Sequence, residues 1–211
     1  MLDEFAELLG QIFPSVEPDT ARRFIQATKA KRARPSDLYS PISLDGVCQA
    51  DILGPLQFQV IETAGDVATA DGFGLILSNS CDVEHDEFVV AAYGYSLSDL
   101  QRPPSAGLRT LSRDAQQNTI NNLLFLPSAP RAGNLVFDLS WLGAFSSQFV
   151  TTAVASGAVQ RYASLSQLGF YLFLAKLTVH FLRPETGVSR PPLGSMSAFD
   201  RLVLAARILR G

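Results

Sequence analysis

The chain has 211 residues, of which 47% are apolar and 18% are charged, and its formal net charge at pH 7 is −3. This apolar content is enough to build a substantial core and excludes disorder of the chain as a whole. The slight negative charge makes nucleic acid a disfavoured partner, because proteins that bind nucleic acid usually present a broad basic surface.

Apolar residues at helical spacing predict helices at both ends of the chain. The first covers Leu2–Phe13, and a second begins near Pro18 and ends in the basic segment Lys29–Arg34. Cations suit a helix C-terminus, so a solvated helix end is the favoured interpretation of this segment, and contact with phosphate groups is the alternative. The apolar stripe Phe199–Leu209 predicts a final helix. These terminal helices offer surfaces for a protein partner or a second copy, although packing on the protein's own core is the simpler expectation.

Strand patterns fill the region between these ends. Leu56–Val60 alternates apolar residues with glutamine, which is typical of a half-buried strand. Thr63–Gly72 has the composition of a loop, and Phe73–Ser78 is predicted to be a strand. Phe88–Tyr93 is its expected antiparallel partner, reached through a turn at Glu84–Glu87. Phe73–Ser78 is followed by a polar, acidic cluster: Cys81, Asp82, Glu84, His85 and Asp86. This cluster would then lie at the tip of a hairpin.

The second half of the chain predicts a helical insertion, further strands and a long helix. Leu97–Asn122 is polar and favours one or two short helices, and strands are predicted at Leu123–Leu126 and Leu135–Leu139. A further strand candidate covers Ser146–Ala155. Ser164 is expected to cap a helix reaching about Phe181, which is apolar nearly all round and should be buried on most sides.

These elements predict an α+β fold: a small, mostly antiparallel β-sheet or barrel with N-terminal helices and one or two C-terminal helices. The predicted organisation is a helical segment over residues 1–40, a β-barrel domain closed by a long helix over residues 41–183, and a linker with a C-terminal helix over residues 184–211. The longest apolar run is too short to span a bilayer and no signal peptide is recognisable. A cytoplasmic protein with reduced thiols and no membrane partner is therefore expected.

Three short motifs carry a resemblance to a known family. They are the strand end Ser80-Cys81-Asp82, the strand Leu124–Pro127, and Arg161-x-x-x-Leu165 opening a terminal helix. Over roughly residues 45–183 the chain resembles uncharacterised bacterial proteins that are distantly similar to the PemK/MazF-type SH3-like barrel. The resemblance implies a compact barrel and an association with toxin–antitoxin or phage-defence systems. It does not imply a ribonuclease, because Thr63–Gly72 offers two aspartates where the toxins carry a basic residue.

Cys81, Asp82 and His85 are the candidate catalytic residues. They could serve a hydrolase or nuclease, in which the imidazole would activate the thiol. The neighbouring carboxylates oppose this role, because negative charge raises the pKa of a thiol. The alternative is structural: Cys81 as a small core residue that closes the barrel, and Asp82 as a turn former.

The chain carries no recognisable metal signature, and no cofactor is predicted. Cys81, His85, Cys48 and His180 could bind zinc only if the fold brings them together. A hard cation could bind Asp82, Glu84 and Asp86, although their spacing does not match a calcium loop. His180 is expected to be structural, at a helix C-terminus. Arg161 and Arg183 flank the long helix and could reach carboxylates such as Asp82, with structural ion pairing as the default.

Two function classes follow. The favoured one is a non-enzymatic regulatory or protein-interaction module of a bacterial system, because no complete active site is visible in the sequence. The alternative is a hydrolase or nuclease that uses Cys81, Asp82 and His85, alone or with the help of a metal ion. A disulfide between Cys48 and Cys81 is disfavoured for a cytoplasmic protein.

Overall fold

A computed structural model describes residues 34–41, 45–61, 65–99 and 106–182 of the chain. In this part the fold is α+β, with a six-stranded antiparallel sheet and four α-helices, which confirms the predicted class. Residues 1–33 and 183–211, with the predicted terminal helices, most of the basic segment Lys29–Arg34, and Arg183, lie outside the described residues. The predicted division of the chain near residues 40 and 183 stays a prediction.

The sheet contains the strands β1 Asp51–Ile61, β2 Val67–Ile76, β3 Phe88–Ser96, β4 Leu123–Ala129, β5 Gly133–Ser146 and β6 Gln160–Ser164. The helices are α1 Ser80–His85, α2 Ala106–Gln116, α3 Ser147–Ser156 and α4 Gln167–Leu182, and a 3-10 turn covers Pro35–Leu38. The strand order is β4-β5-β3-β2-β1-β6. Within the described residues the two edge strands, β4 and β6, do not pair, so the sheet is open. Of the two predicted alternatives, the antiparallel sheet is confirmed and the barrel is wrong. The short strand β6 pairs with β1 only over Asp51–Gly54.

Three predicted elements take another form. Most of the predicted loop Thr63–Gly72 belongs to β2, because these small and polar residues pair with the outer half of β1. The first half of the predicted turn at Glu84–Glu87 is the last part of the short helix α1, which begins where the Asn79 side chain accepts the Cys81 amide. The predicted strand Ser146–Ala155 is helix α3. Its β-branched residues favour a strand, but a capping serine at its start and the left-handed Gly157 after it favour the helix.

The long C-terminal helix begins later than predicted. Ser164 belongs to β6, and Ser166 caps α4 by accepting the Gly169 amide at 3.3 Å. The motif Arg161-x-x-x-Leu165 therefore lies on the last strand and the bridge after it, and does not open a helix. The helix is buried on one side rather than on most sides: Tyr171, Phe173 and Leu174 enter the core. Most of its other residues are half-buried, and Phe181 is exposed.

Alternate residues of the sheet enter two different cores. One core packs against α4 and includes Ile52 and Ala92. The other lies on the opposite face, where α1 and α3 cover it, and includes Leu53 and Ala91. A smaller third cluster joins α2 to β4 and β5. Adjacent residues of a strand therefore serve opposite layers, as the period of a β-strand requires.

Candidate functional site

The three predicted catalytic residues lie on α1. Cys81, Asp82 and His85 are all exposed, with the thiol and the imidazole four residues apart and so on one helix face. Among the described residues, no hydrogen bond or ion pair joins any two of these side chains. The structure therefore brings the three residues onto one short helix without a nucleophile–base contact, and their catalytic role stays a prediction.

The predicted metal ligands are not gathered into one site. The described part of the chain contains no group of three or more His, Cys, Asp or Glu side chains that could hold a metal ion. Glu84 and Asp86 are exposed beside the catalytic candidates, whereas Cys48 lies half-buried before β1. His180 is on α4, and its ring packs edge-to-face on Phe181 at 4.7 Å.

The segments that carry the two cysteines lie side by side. The Gln49 amide donates to Ser80 Oγ at 3.0 Å, and Gln49 Nε2 donates to the Leu77 carbonyl at 2.7 Å. Each bond joins a residue close to one cysteine to a residue close to the other. Cys48 and Cys81 are nevertheless both free thiols in the structure.

Arg161 pairs with Asp51, and not with the predicted Asp82. Its Nε atom lies 3.1 Å from Asp51 Oδ2, which also accepts the Cys48 amide at 2.9 Å. Ser164 donates its hydroxyl to the other carboxylate oxygen. Burial raises the pKa of Asp51, while Ser164, the Cys48 amide and Arg161 oppose the rise. This cluster ties β6 and the loop before β1 to the sheet, which is the structural ion pairing that was the default expectation.

A set of half-buried aromatic rings lies at the margin of the second core of the sheet. The rings that we call the aromatic strip are half-buried: Tyr93, Tyr95, Trp141 and Phe145. Three of them pack against the core cluster that contains the fully buried Phe58, and Tyr95 packs against the third cluster. The centroids of Tyr93 and Trp141 lie 4.2 Å apart, and those of Tyr93 and Tyr95 lie 5.8 Å apart. Phe58 contacts Tyr93 and Phe145 edge-to-face, with centroids 5.2 Å apart in each pair. Rings at these separations stabilise one another and hold the surface rigid.

Local backbone features position the strip. Tyr93 lies over Gly72, where a Cβ atom would stand 2.5 Å from the tyrosine ring. The ring therefore fits here because residue 72 has no side chain. Trp141 donates its indole N–H to the Gln59 carbonyl at 3.2 Å, which fixes the indole against β1. In the sequence, the alternation Tyr93-Gly-Tyr95 is the one signal of the strip, because residues two apart on a strand share a face.

The charges of three carboxylates act on the tyrosines of the strip, and we call this set the acidic rim: Asp71, Asp99 and Asp138. Burial raises the pKa of Tyr93, and the nearby charges of Asp99 and Asp71 add to the rise. Burial also raises the pKa of Tyr95 to about 12, with a further contribution from Asp138. Both effects place negative charge near the phenol groups.

Asp138 is the most firmly held member of the rim. Its Oδ1 atom accepts hydrogen bonds from Asn122 Nδ2 at 3.0 Å, from the Ser140 amide at 2.9 Å, and from the Ser140 hydroxyl. No contact of its Oδ2 atom is recorded in the described part of the chain. One oxygen of a fixed carboxylate is thus left beside the aromatic rings.

The carboxylate charges near these rings favour a cationic ligand over an anionic one. Ring faces attract cations electrostatically, and the carboxylates add direct charge pairing. The same carboxylates would repel a phosphate group, so stacking of nucleic acid bases is disfavoured here.

Comparison with known proteins gives no indication of the function. No protein-family model and no curated protein matches the chain. A membrane-crossing helix, judged by length and apolar character, does not occur in the described ranges. The function is therefore inferred from the chemistry of the strip and its rim.

Proposed function

We propose that the protein is a non-enzymatic, regulatory protein-interaction module that binds a basic, extended segment of a partner protein on the aromatic strip. The observation that carries the proposal is the juxtaposition of half-buried rings with three carboxylates. An extended peptide can lay apolar side chains on the rings while its cations meet the acidic rim. Each desolvated cation–aromatic contact contributes about 0.5–2 kcal/mol, so several together support a specific complex.

The wider setting of the module is also proposed, from the resemblance to PemK/MazF-type proteins. We infer a cytoplasmic bacterial protein that acts in toxin–antitoxin or phage defence. We also propose that the sheet is related to the SH3-like barrel, as a form in which the barrel is not closed. It is supported by the bond from Trp141 to the Gln59 carbonyl, which draws the middle of β5 towards β1.

The alternative function is a hydrolase or nuclease that uses α1. In its favour, Cys81 and His85 are exposed four residues apart on one helix. The interaction module is preferred because the aromatic strip and its rim form a surface with a defined ligand chemistry, whereas the α1 side chains are not joined by contacts in the described structure.

Peptide titration followed by tryptophan fluorescence tests the proposal directly. Trp141 is the only tryptophan of the chain, so its emission reports on the strip alone. The probe is a proline-rich peptide with two arginines, and the control peptide has glutamate in their place. We expect a dissociation constant on the order of 10–100 µM for the basic peptide, weakened by salt. A spectrum that stays unchanged with the basic peptide, or tighter binding of a single-stranded oligonucleotide, would overturn the proposal.

Variants locate the binding surface. The double variant Asp71→Asn/Asp99→Asn should weaken the basic peptide by about tenfold, because it removes two charges of the rim. The matched control Glu84→Gln/Asp86→Asn removes two exposed carboxylates from α1 and its end, and should leave the affinity unchanged. Equal losses in both variants would indicate a general effect of net charge and contradict this location.

A further inference from the structure

Both edge strands of the sheet have backbone groups that other parts of the chain occupy. On β4, the Asn118 side chain bonds both the amide and the carbonyl of Phe125, at 2.8 and 3.2 Å. Beside β6, the Ser40 amide donates to the Ser164 carbonyl at 2.8 Å. Natural sheets protect their edges because unpaired backbone groups on a strand bind other strands.

The outer half of β2 is not covered in this way. It pairs with β1 as far as Gly72, whereas β2 pairs with β3 only over Phe73–Ile76. Within the described residues, the backbone of Val67–Asp71 forms hydrogen bonds with β1 alone. This stretch has no lysine or proline, two residues that usually protect an exposed edge. We call Val67–Asp71 the open edge.

The direction of the backbone groups on the open edge follows from two neighbouring contacts. The Ile76 carbonyl accepts the amide of Ala50, just before β1, at 2.8 Å. Gln59, which is paired with Thr69, turns its carbonyl away from β2 to the Trp141 indole. Bonding direction alternates along a strand, so both contacts require that alternate residues of the open edge point their N–H and C=O groups away from β1. These outward residues, all with exposed side chains, are Val67, Thr69 and Asp71.

The charge around the open edge defines its partner. Between Arg34 and Arg102 the sequence has no lysine or arginine, so β1, β2 and β3 carry neither. Asp66 and Asp71 lie at the two ends of the open edge. An antiparallel second copy centred on Thr69 would place Asp71 of one chain next to Asp66 of the other, and this repulsion opposes self-pairing. A basic strand would instead bring cations to the same carboxylates.

We propose that the bound basic segment adds to the sheet as a strand along the outer half of β2. This inference rests on the proposed function, because it describes how the backbone of the bound segment is held. The outward N–H and C=O groups of the open edge pair with alternate residues of the segment. Its cations meet Asp66 and Asp71. The open edge leads to Gly72, on which the Tyr93 ring lies, so the added strand continues to the aromatic strip.

Amide hydrogen exchange measured by NMR tests the inference in the full chain. The probe is a proline-free peptide that alternates threonine and arginine, because proline has no amide hydrogen to donate. In the free protein, the amides of the outward residues should exchange faster than those of Ala68 and Ala70, which face β1. Saturating peptide should slow the exchange of the outward amides by about tenfold or more. Slow exchange of all these amides in the free protein would mean that another part of the chain covers the edge, and would overturn the inference.

Two N-methylated forms of the probe separate backbone pairing from charge. One form is methylated at the threonine amides and the other at the arginine amides, so their charges are equal. Only one set of alternate amides faces β2, so one form should bind about tenfold more weakly than the parent peptide and the other within about twofold. Equal affinities of the two forms would overturn strand addition.

The variant Thr69→Pro removes the central outward N–H without changing the charge of the protein. Thr69→Val is the matched control, because it keeps the N–H and the branched shape of the side chain. The proline variant should bind the parent peptide about tenfold more weakly than the native protein, and the valine variant should bind it equally well. Equal affinities of the two variants would contradict pairing with β2. The methylated peptides decide the question in the native protein even if Thr69→Pro does not fold.

The outcomes separate the two proposals. If no basic peptide binds, the proposed interaction function fails, and strand addition fails with it. If the parent peptide and both methylated forms bind equally and all quench Trp141, the interaction function stands and only strand addition fails. If the outward amides become protected with rising protein concentration in the absence of peptide, the open edge pairs with a second copy and the inference is wrong.

Discussion

Tyr93 of β3 and Asp138 of β5 face each other across an antiparallel ladder at the point where its register shifts. The preceding pair in that ladder joins Ala92 to Leu142, so the intervening residues of β5, which include Trp141, have no partner on β3. Such bulges bend a strand and redirect its side chains. This irregularity brings a carboxylate, a phenol and an indole to one place in the sheet.

The first prediction concerns the titration of Tyr95. Asp138→Asn should lower the pKa of Tyr95 from about 12, because the carboxylate contributes to its elevation. The pKa should stay above the ordinary value of 10.0, since burial is the larger cause. Tyrosinate absorbance measured against pH, with Tyr95→Phe used to assign the transition, gives the answer. An unchanged transition in Asp138→Asn would mean that the two groups do not interact.

The second prediction concerns the buried pair of Asp51 and Arg161. Asp51→Ala leaves the guanidinium without its carboxylate and should lower the free energy of unfolding by about 3–5 kcal/mol. Asp71→Ala, at an exposed position of β2, should change it by no more than about 0.5 kcal/mol. Urea denaturation of both variants measures the difference. Similar small effects would contradict a structural role for the pair.

The third prediction is a pH dependence of stability that originates at Asp51. Because burial raises its pKa in the folded protein above the ordinary 3.8, the folded state holds the proton more tightly than the unfolded state. The stability contributed by this residue is therefore greatest below about pH 4 and falls as the pH rises through the folded pKa. Asp51→Asn does not titrate at this position and serves as the reference. The free energy of unfolding of the native protein minus that of Asp51→Asn should decrease over this range, and an increase would show that the pKa is lowered instead.

The fourth prediction distinguishes the two thiols. Cys81 is exposed in α1, whereas Cys48 is half-buried and donates its thiol hydrogen to the Asp45 carbonyl at 3.5 Å. Iodoacetamide should therefore modify Cys81 several times faster than Cys48 by accessibility alone. Peptide mapping by mass spectrometry measures both rates. Modified protein should bind the basic peptide as before; loss of binding would move the functional site from the strip to α1.

The fifth prediction concerns Lys176, a buried cation of α4. Its Nζ atom donates to the carbonyl groups of Asn118 and Ile120, each at 2.7 Å. Lys176→Met keeps an apolar stem but removes the donor to both carbonyls. The Ile120 carbonyl still accepts the Leu123 amide, so the Asn118 carbonyl is the group that loses its donor. The free energy of unfolding should fall by about 1–3 kcal/mol. Arg113→Met, at an exposed position of α2, is the matched control and should have an effect within about 0.5 kcal/mol. Thermal or urea unfolding decides between these outcomes.

The sequence predicted those elements whose pattern is local. Strands β3, β4 and β5 and helix α4 appear near their predicted places, because alternation and continuous apolar character are properties of neighbouring residues. Helix α3 was predicted as a strand from residues such as Val150 and Thr151. Its capping by Ser146 and its end at Gly157 were the local signals that identify it as a helix.

The candidate site was largely beyond sequence reasoning. Phe58, Tyr93 and Trp141 belong to three different strands, and their contact depends on strand order and on the register shift between β3 and β5. Neither property is encoded in a local pattern. Cys81, Asp82 and His85 are close together in the sequence, which predicts a common site. The structure places all three on the surface of α1, without contacts between their side chains in the described residues.

The division of one sheet between two cores has a consequence for how the molecule unfolds. Ala91 and Ala92 are neighbours in β3 and belong to opposite layers, so this strand forms one wall of each of the two cores. Melting either layer alone would expose one side of that wall and leave its hydrogen bonds without support. Heat should therefore disassemble both layers in one step, with the calorimetric enthalpy equal to the van't Hoff enthalpy.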